Sequence, residues 1–240
     1  MDATPVLSQI REKERQSHIQ IYSQAELFQE GSWLHKPVSS VMDVLPELFA
    51  ASGLRILDLG CGIGRNSIPI AARFREVPCV IECVDILELA IGKLQSYAEL
   101  HQVGSRIRAI HCPIDAYPID ENSYDFIFAV SALEHMDSPD SLAAKLWEIE
   151  HGVKENGFVC FVINSEVREE NDQTGEPLIP QFEINLPADI LLQQLSSIFS
   201  RWEIRKLSVR EQQYRIPRGC ITSLLQTKVI TFAAKKTAIT

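Results

Sequence analysis

The chain has 240 residues, 45% of them hydrophobic and 23% charged, which sets it apart from disordered, fibrous and membrane-embedded classes and allows a substantial core. Its 23 basic and 32 acidic residues leave a net charge of −9, which speaks against nucleic acid or anionic lipid as partner, since both need a positive field. Six cysteines without a C-x-x-C pair, no charged start leading into an apolar run, and no apolar stretch near the ~20 residues of a membrane span imply reduced thiols, no metal and a cytoplasmic location.

In chain order, residues 1–38 form an N-terminal segment rich in charged and amide side chains, with Tyr22, Phe28 and Trp33 among them. Two readings stay open for it: a tail or solvated helix that rests its aromatics on the core, or a flap over a ligand. From residue 39 onward one domain is expected. Val41, Val44, Leu45 and Leu48 lie near helical spacing over Ser39 to Ala51, with Pro46 predicting a kink or a later start. Strands are then expected at Arg55–Leu59, Cys79–Val84, Ile107–Cys112, Tyr124–Val130 and Gly157–Ile163, and helices between them at Asn66–Phe74, Leu87–Gln102 and Ser141–His151. Such alternation is the pattern of an α/β fold with a doubly wound, mostly parallel sheet.

Periodicity stops from Asn164 to Glu183, where acidic, amide and proline residues predict a long exposed connection, a lid or substrate loop. A helix at Ala188–Phe199 and strands at Trp202–Val209 and Lys228–Ala234 follow. With no helix between them, the last two strands form an antiparallel hairpin at one sheet edge, making seven strands in all.

The densest chemical signal is Ile56-Leu57-Asp58-Leu59-Gly60-Cys61-Gly62-Ile63-Gly64-Arg65-Asn66-Ser67, where the first strand passes into a helix. Glycines can take φ > 0, turn sharply and let a ligand approach the backbone, while the following helix presents unpaired N–H groups. Open α/β sheets place their sites at this carboxyl end. Asp85 closes the second strand, where a carboxylate accepts from both hydroxyls of a ribose or, alternatively, caps the next helix. The third glycine comes one place too early for G-x-G-x-x-G. Asp58 inside the cradle would repel a pyrophosphate and suit an ammonium group, so the ligand should carry a ribose and a cation.

These residues resemble the first motif of the class I S-adenosylmethionine-dependent methyltransferases, a Rossmann-like family, and the resemblance runs over roughly Ser39 to Ile163. It implies S-adenosylmethionine as cofactor, held at its methionine end by Asp58, Gly60, Cys61, Gly62 and Gly64. It implies Asp85 on the ribose, Ile86 against adenine, Asp115 and Ala116 at the adenine edge, and Ala129 and Val130 at the fourth strand's end. Leu133, Glu134 and His135 would form the turn beneath the transferred methyl, with His135 as a candidate pocket residue and no catalytic residue assigned. Local rivals stand beside these roles: Asp115 as a turn residue, Ile86 as core, Glu134 and His135 on a helix surface, and Asp125 satisfying backbone donors.

The fourth-strand turn, Ala129-Val130-Ser131-Ala132, lacks the Pro-Pro-aromatic segment of amide and nucleobase methyltransferases and the Pro-Cys pair of cytosine-attacking enzymes, so a small-molecule acceptor is expected. Gly64-Arg65-Asn66-Ser67, Phe182, Leu191 to Leu195 and Trp202-Glu203 bring the chain nearer the tellurite-resistance methyltransferases, which implies thiols or selenium and tellurium oxyanions as acceptors. Arg65, His35 and Lys36 would supply positive charge to such an anion. A homodimer, formed through the 164–183 or 210–219 segments, stays open, as do a nicotinamide-dependent oxidoreductase and a cofactor-binding protein without transfer activity.

Overall fold

The structure is a computed structural model, and it describes residues 4–24, 26–48 and 53–238. Helix α1 (Thr4–Gln24) precedes a short α2 (Ser39–Met42). The helix expected over Ser39 to Ala51 is thus divided: α2 ends before a separate 3-10 turn, Leu45–Glu47, which carries Pro46 at its start, and residues 49–51 lie outside the described residues.

Four parallel strands form the first half of the sheet: β1 (Leu54–Leu59), β2 (Cys79–Asp85), β3 (Ile107–His111) and β4 (Tyr124–Val130). Alternate side chains fill opposite layers. Ile56, Phe126 and Phe128 meet α3 (Ser67–Arg73) and α4 (Glu88–Leu100) through Ile68, Ile70, Ile91 and Leu94. Leu57, Leu59 and Ile127 meet α5 (Pro139–Gly152) and α6 (Ala188–Ile198) through Leu146, Ile149, Leu191 and Leu195. Burial on both faces is why these strands read as continuous apolar runs. Asp125, at the entrance of β4, accepts from the Arg55 backbone N–H at 2.8 Å and from Lys154 at 2.9 Å, in keeping with its expected role as a backbone acceptor.

The second half is antiparallel. β5 (Val153–Asn171) pairs parallel with β4 and antiparallel with β8 (Ile221–Lys236), which pairs with the edge strand β7 (Trp202–Arg218). The order is β3-β2-β1-β4-β5-β8-β7, and a two-residue β6 (Pro177–Leu178) against β5 makes eight strands among the described residues where seven were expected.

The expected loop at 164–183 needs correction: β5 continues through Asn171, and only the remainder is irregular apart from β6. Burial still alternates there, through Ser165, Val167 and Glu169, facing a β8 stretch that buries Ser223, Leu225 and Thr227. With two of each three inward positions polar, the hydrophobic period is too broken to read. A bulge with Glu166 at φ +49 interrupts the ladder. Residues 210–219 are also mostly ladder, turning back through Gly219 at φ +63. Asn156, at φ +63, lies in a bulge within β5 rather than before it.

Candidate active site at the carboxyl ends of the parallel strands

β1 ends in a turn where Gly60, Gly62 and Gly64 take φ of +77, +52 and +92, values that explain three alternate glycines without appeal to chance. There is no room for side chains either. A Cβ on Gly60 would overlap Ala132 in the turn after β4, and one on Gly64 would lie 2.5 Å from Leu94 of α4. The backbone is anchored by Gly60 and Cys61 N–H groups donating to the Val84 carbonyl at 2.8 and 3.0 Å. Cys61 itself points into the core and is buried, so it offers a ligand main chain only.

Two acids converge on this turn. Asp85 at the end of β2 accepts from Gly62 N–H at 2.8 Å and Leu87 N–H at 2.9 Å, so it both braces the glycine turn and holds the residue that caps α4. The bond to Leu87 N–H bears out the helix-cap reading, and since a carboxylate has about four acceptor sites and two are used, it leaves room for a ligand donor. Burial raises the Asp85 pKa, against the pull of those two N–H donors. Asp58 is buried and accepts from the Ser67 hydroxyl at the start of α3. Desolvation pushes it up to about 7, opposed first by the Ser67 bond and reinforced by Asp85. A buried acid at that balance point could hold a cation, because an ammonium beside it would restore the carboxylate.

Ile86 is 61% exposed directly after Asp85, which removes its rival reading as core and leaves an apolar face open beside that acid. Asp115 and Ala116 sit in a 3-10 turn that follows β3, with Ile114 of the same turn 3.8 Å from where a Gly60 Cβ would lie. Ala129 is wholly buried in the α5 and α6 layer, so it offers backbone alone, whereas Val130 is half-buried. The residues present fit a ribosyl sulfonium carrying an amino-acid tail: bare glycines that let a ligand approach the backbone, one acid for hydroxyls, one for an ammonium, and an exposed apolar face for a base.

Four features named in the sequence gain contacts here that it did not reveal. Helix α1 lies over the turn, with Tyr22 Oη 2.7 Å from a would-be Gly62 Cβ, and the Tyr22 carbonyl accepts from Lys93 of α4. Burial and the nearby Asp85 raise the Tyr22 pKa. Surface grooves at Trp147 and Ile190, and at Val167 and Pro177, both lie away from this covered turn. Arg65 donates to the Trp33 carbonyl at 2.7 Å and lies 5.0 Å over its ring, while Lys36 is exposed to solvent. Glu134 is buried, not on a helix surface as its alternative reading had it, and burial raises its pKa. Finally, His135 Nδ1 is 2.9 Å from Glu183 and its ring stacks on Phe182 at 5.1 Å. The sequence signals for these were the aromatics before residue 36, the basic Arg65, Phe182 and the pairing of Glu134 with His135 in one motif; the contacts themselves join segments far apart in the chain.

Residues 56–157 match the family model described as a methyltransferase domain. No curated protein sequence matches the chain. TehB from Haemophilus influenzae is 20% identical, with 83% of this chain and 62% of that one aligned at a TM-score of 0.61. This chain thus spans less than two thirds of TehB. A SAM-dependent methyltransferase from Methanosarcina mazei is 16% identical over 82% of this chain and 98% of its own, at 0.59. The Burkholderia thailandensis 1,6-didemethyltoxoflavin-N1-methyltransferase, solved with 1,6-didemethyltoxoflavin and S-adenosylhomocysteine, is 18% identical over 96% and 90%, at 0.56. At such identities the likeness establishes a shared fold, the Rossmann-like methyltransferase sheet. Among the described residues, no helix is long and apolar enough to cross a membrane.

Proposed function

We propose, from the premise that the chain carries a methyltransferase domain with S-adenosylmethionine as its cofactor, that it methylates a small soft nucleophile, a thiol or a selenium or tellurium oxyanion. The observation that carries this reading is the tandem of positive-φ glycines braced by Asp85 above a buried Asp58. Gly60, Gly62 and Gly64 would line the methionine end, Asp58 would face its ammonium, Asp85 would accept from the ribose, and Ile86 and the Asp115–Ala116 turn would flank the adenine. Bound S-adenosylmethionine supplies an activated methyl on a good leaving group. The chain's task is then to hold an acceptor in line and exclude water.

Helix α1 acts in this reading as the flap of the two readings left open, because Tyr22 covers Gly62 and His18 stands 5.7 Å from Tyr22 and 6.5 Å from His135. A half-buried Arg65 beside Trp33 supports an acceptor that bears negative charge somewhere on its frame.

The test is a transfer screen with methyl-labelled S-adenosylmethionine across thiols, amines, carboxylates and metalloid oxyanions. Label in the thiol or oxyanion pools supports the reading. Label only in amines or carboxylates overturns the acceptor class, and binding of reduced nicotinamide without S-adenosylmethionine overturns the activity.

A further inference from the structure

The two edges of the sheet differ sharply. β3, at one end, is five residues long, short enough to give a neighbouring chain little to pair with. β7, at the other, runs for 17 residues, and among the described residues no strand pairs with its outer side. Its protection is confined to the ends. A bulge between Ile204 and Lys206 interrupts the ladder with β8 near the start, and Pro217 removes an N–H near the finish. From Lys206 to Ile216 the ladder is unbroken and free of proline, which leaves an open row of N–H and C=O groups along about 36 Å of edge.

One face of that stretch is apolar. Leu207 and Val209 stand opposite Phe232 and Ile230, which belong to the layer under α5 and α6, and opposed residues of an antiparallel pair share a face. They are left uncovered, Leu207 at 46% and Val209 at 42% exposure. The charges of the strand are largely answered within the chain. Four of its five cations have carboxylate partners, Arg205 with Glu47 and Lys206 with Asp43 among them, and only Arg210 lacks one among the described residues. A second copy of the strand is therefore not held off by a strong like-charged field.

The sequence of β7 also fits itself. A two-fold axis normal to the sheet joins two such strands antiparallel and keeps each side chain on its own face, so one residue must stand opposite itself at the axis. Centred on Leu207 or Gln213, the pairing runs into the bulge or Pro217. Centred on Ser208 it sets Lys206 against Arg210, and centred on Gln212 it sets Lys206 against Arg218. Centred on Arg210 or Glu211 it places like charges on the axis itself, and like charges directly opposed are destabilising. Centred on Val209, the stretch from Lys206 to Gln212 pairs without such a clash, and each Leu207 lies diagonal to the partner's Val209, within side-chain reach. The four aliphatic side chains then form one patch on the α5 and α6 face.

We propose that the protein forms a symmetric dimer through β7, the two strands pairing antiparallel about Val209 so that two sheets become one. The pairing is independent of the methyl-transfer reading and of the acceptor. Sedimentation velocity on the full chain tests it. The wild type should sediment at twice the chain mass. Val209→Lys, which opposes two ammonium groups on the axis, should be monomeric at the same concentration, whereas Ile190→Lys, in the exposed groove between α5 and α6, should remain dimeric. Cooperative urea unfolding checks that each variant is folded. Register is read by a short bis-maleimide on a parent in which the exposed Cys220 is replaced by serine. Val209→Cys should cross-link into a covalent dimer, and neither the parent nor Tyr214→Cys should, because the two Tyr214 positions would lie about 34 Å apart. A monomeric wild type, a dimer that survives Val209→Lys, or cross-linking through Tyr214→Cys and not Val209→Cys overturns the proposal. Should Val209→Lys fail to fold, the cross-linking pair decides alone.

Discussion

In the parallel half of the sheet, β1, β2 and β4 bury Ile56, Leu57, Ile81, Phe126 and Phe128 between helical layers, and the chemistry is confined to the turns at their ends. In the antiparallel arm, the outer part of β5 and the facing part of β8 bury Ser165, Glu169, Ser223 and Thr227 beside Val167 and Leu225, with Glu169 paired to Arg218 at 2.8 Å. Arg218 also binds Gln181, the neighbour of Phe182 and Glu183. The first half is a rigid frame that shapes the glycine turn. The second is a polar framework whose side chains, in the proposed reading, reach the acceptor. Cofactor and acceptor functions should therefore be separable by mutation.

The harshest way to break that separation is Gly62→Val. A β-branched residue at φ +52 costs roughly 1–2 kcal/mol in the turn itself, and its side chain would collide with Tyr22 and occupy ligand space. Titration calorimetry should find no cofactor binding in a variant that still unfolds cooperatively. In the other half, Glu169→Ala leaves a 15% exposed Arg218 without its carboxylate, and should lower stability by about 3–5 kcal/mol in a urea titration. Cofactor affinity in the folded fraction should stay at the wild-type value, and a parallel loss of affinity would show that the halves are not independent.

Asp85→Ala is smaller and sharpens the assignment within the frame. Loss of charge-assisted acceptance should weaken cofactor binding by about 1.5–3 kcal/mol, read by calorimetry. Unchanged affinity would remove Asp85 from the ligand.

The smallest effect is set by Asp58. Its pKa in the folded protein is raised to about 7 by burial, so its stabilising contribution is fully present below the ordinary carboxylate range and is lost as pH rises through 7. Binding of a cation has the opposite sign, since it draws on the ionised form. Affinity for S-adenosylmethionine should fall about tenfold from pH 8 to pH 6, with proton release on binding, and the profile should flatten in Asp58→Asn.

The same contrast explains what could be read from the sequence. The frame was legible because both-face burial writes itself as apolar runs, and because three alternate glycines have few uses other than a tight turn. The arm was not, since Ser165, Glu169, Ser223 and Thr227 follow the strand period with polar side chains. In the site, Asp58 and Asp85 could be placed from the strand ends. Tyr22, Glu183 and the burial of Glu134 could not, because each depends on segments brought together from far along the chain.

The central claim, that the glycine turn and Asp85 grip a sulfonium nucleoside under α1, is most directly met by a crystal structure with S-adenosylhomocysteine. The account predicts the ligand along Gly60 to Gly64, its ribose hydroxyls on Asp85 and its adenine beside Ile86, with Tyr22 moved off Gly62. Ligand seated at another surface, with Tyr22 still over the turn, would contradict it.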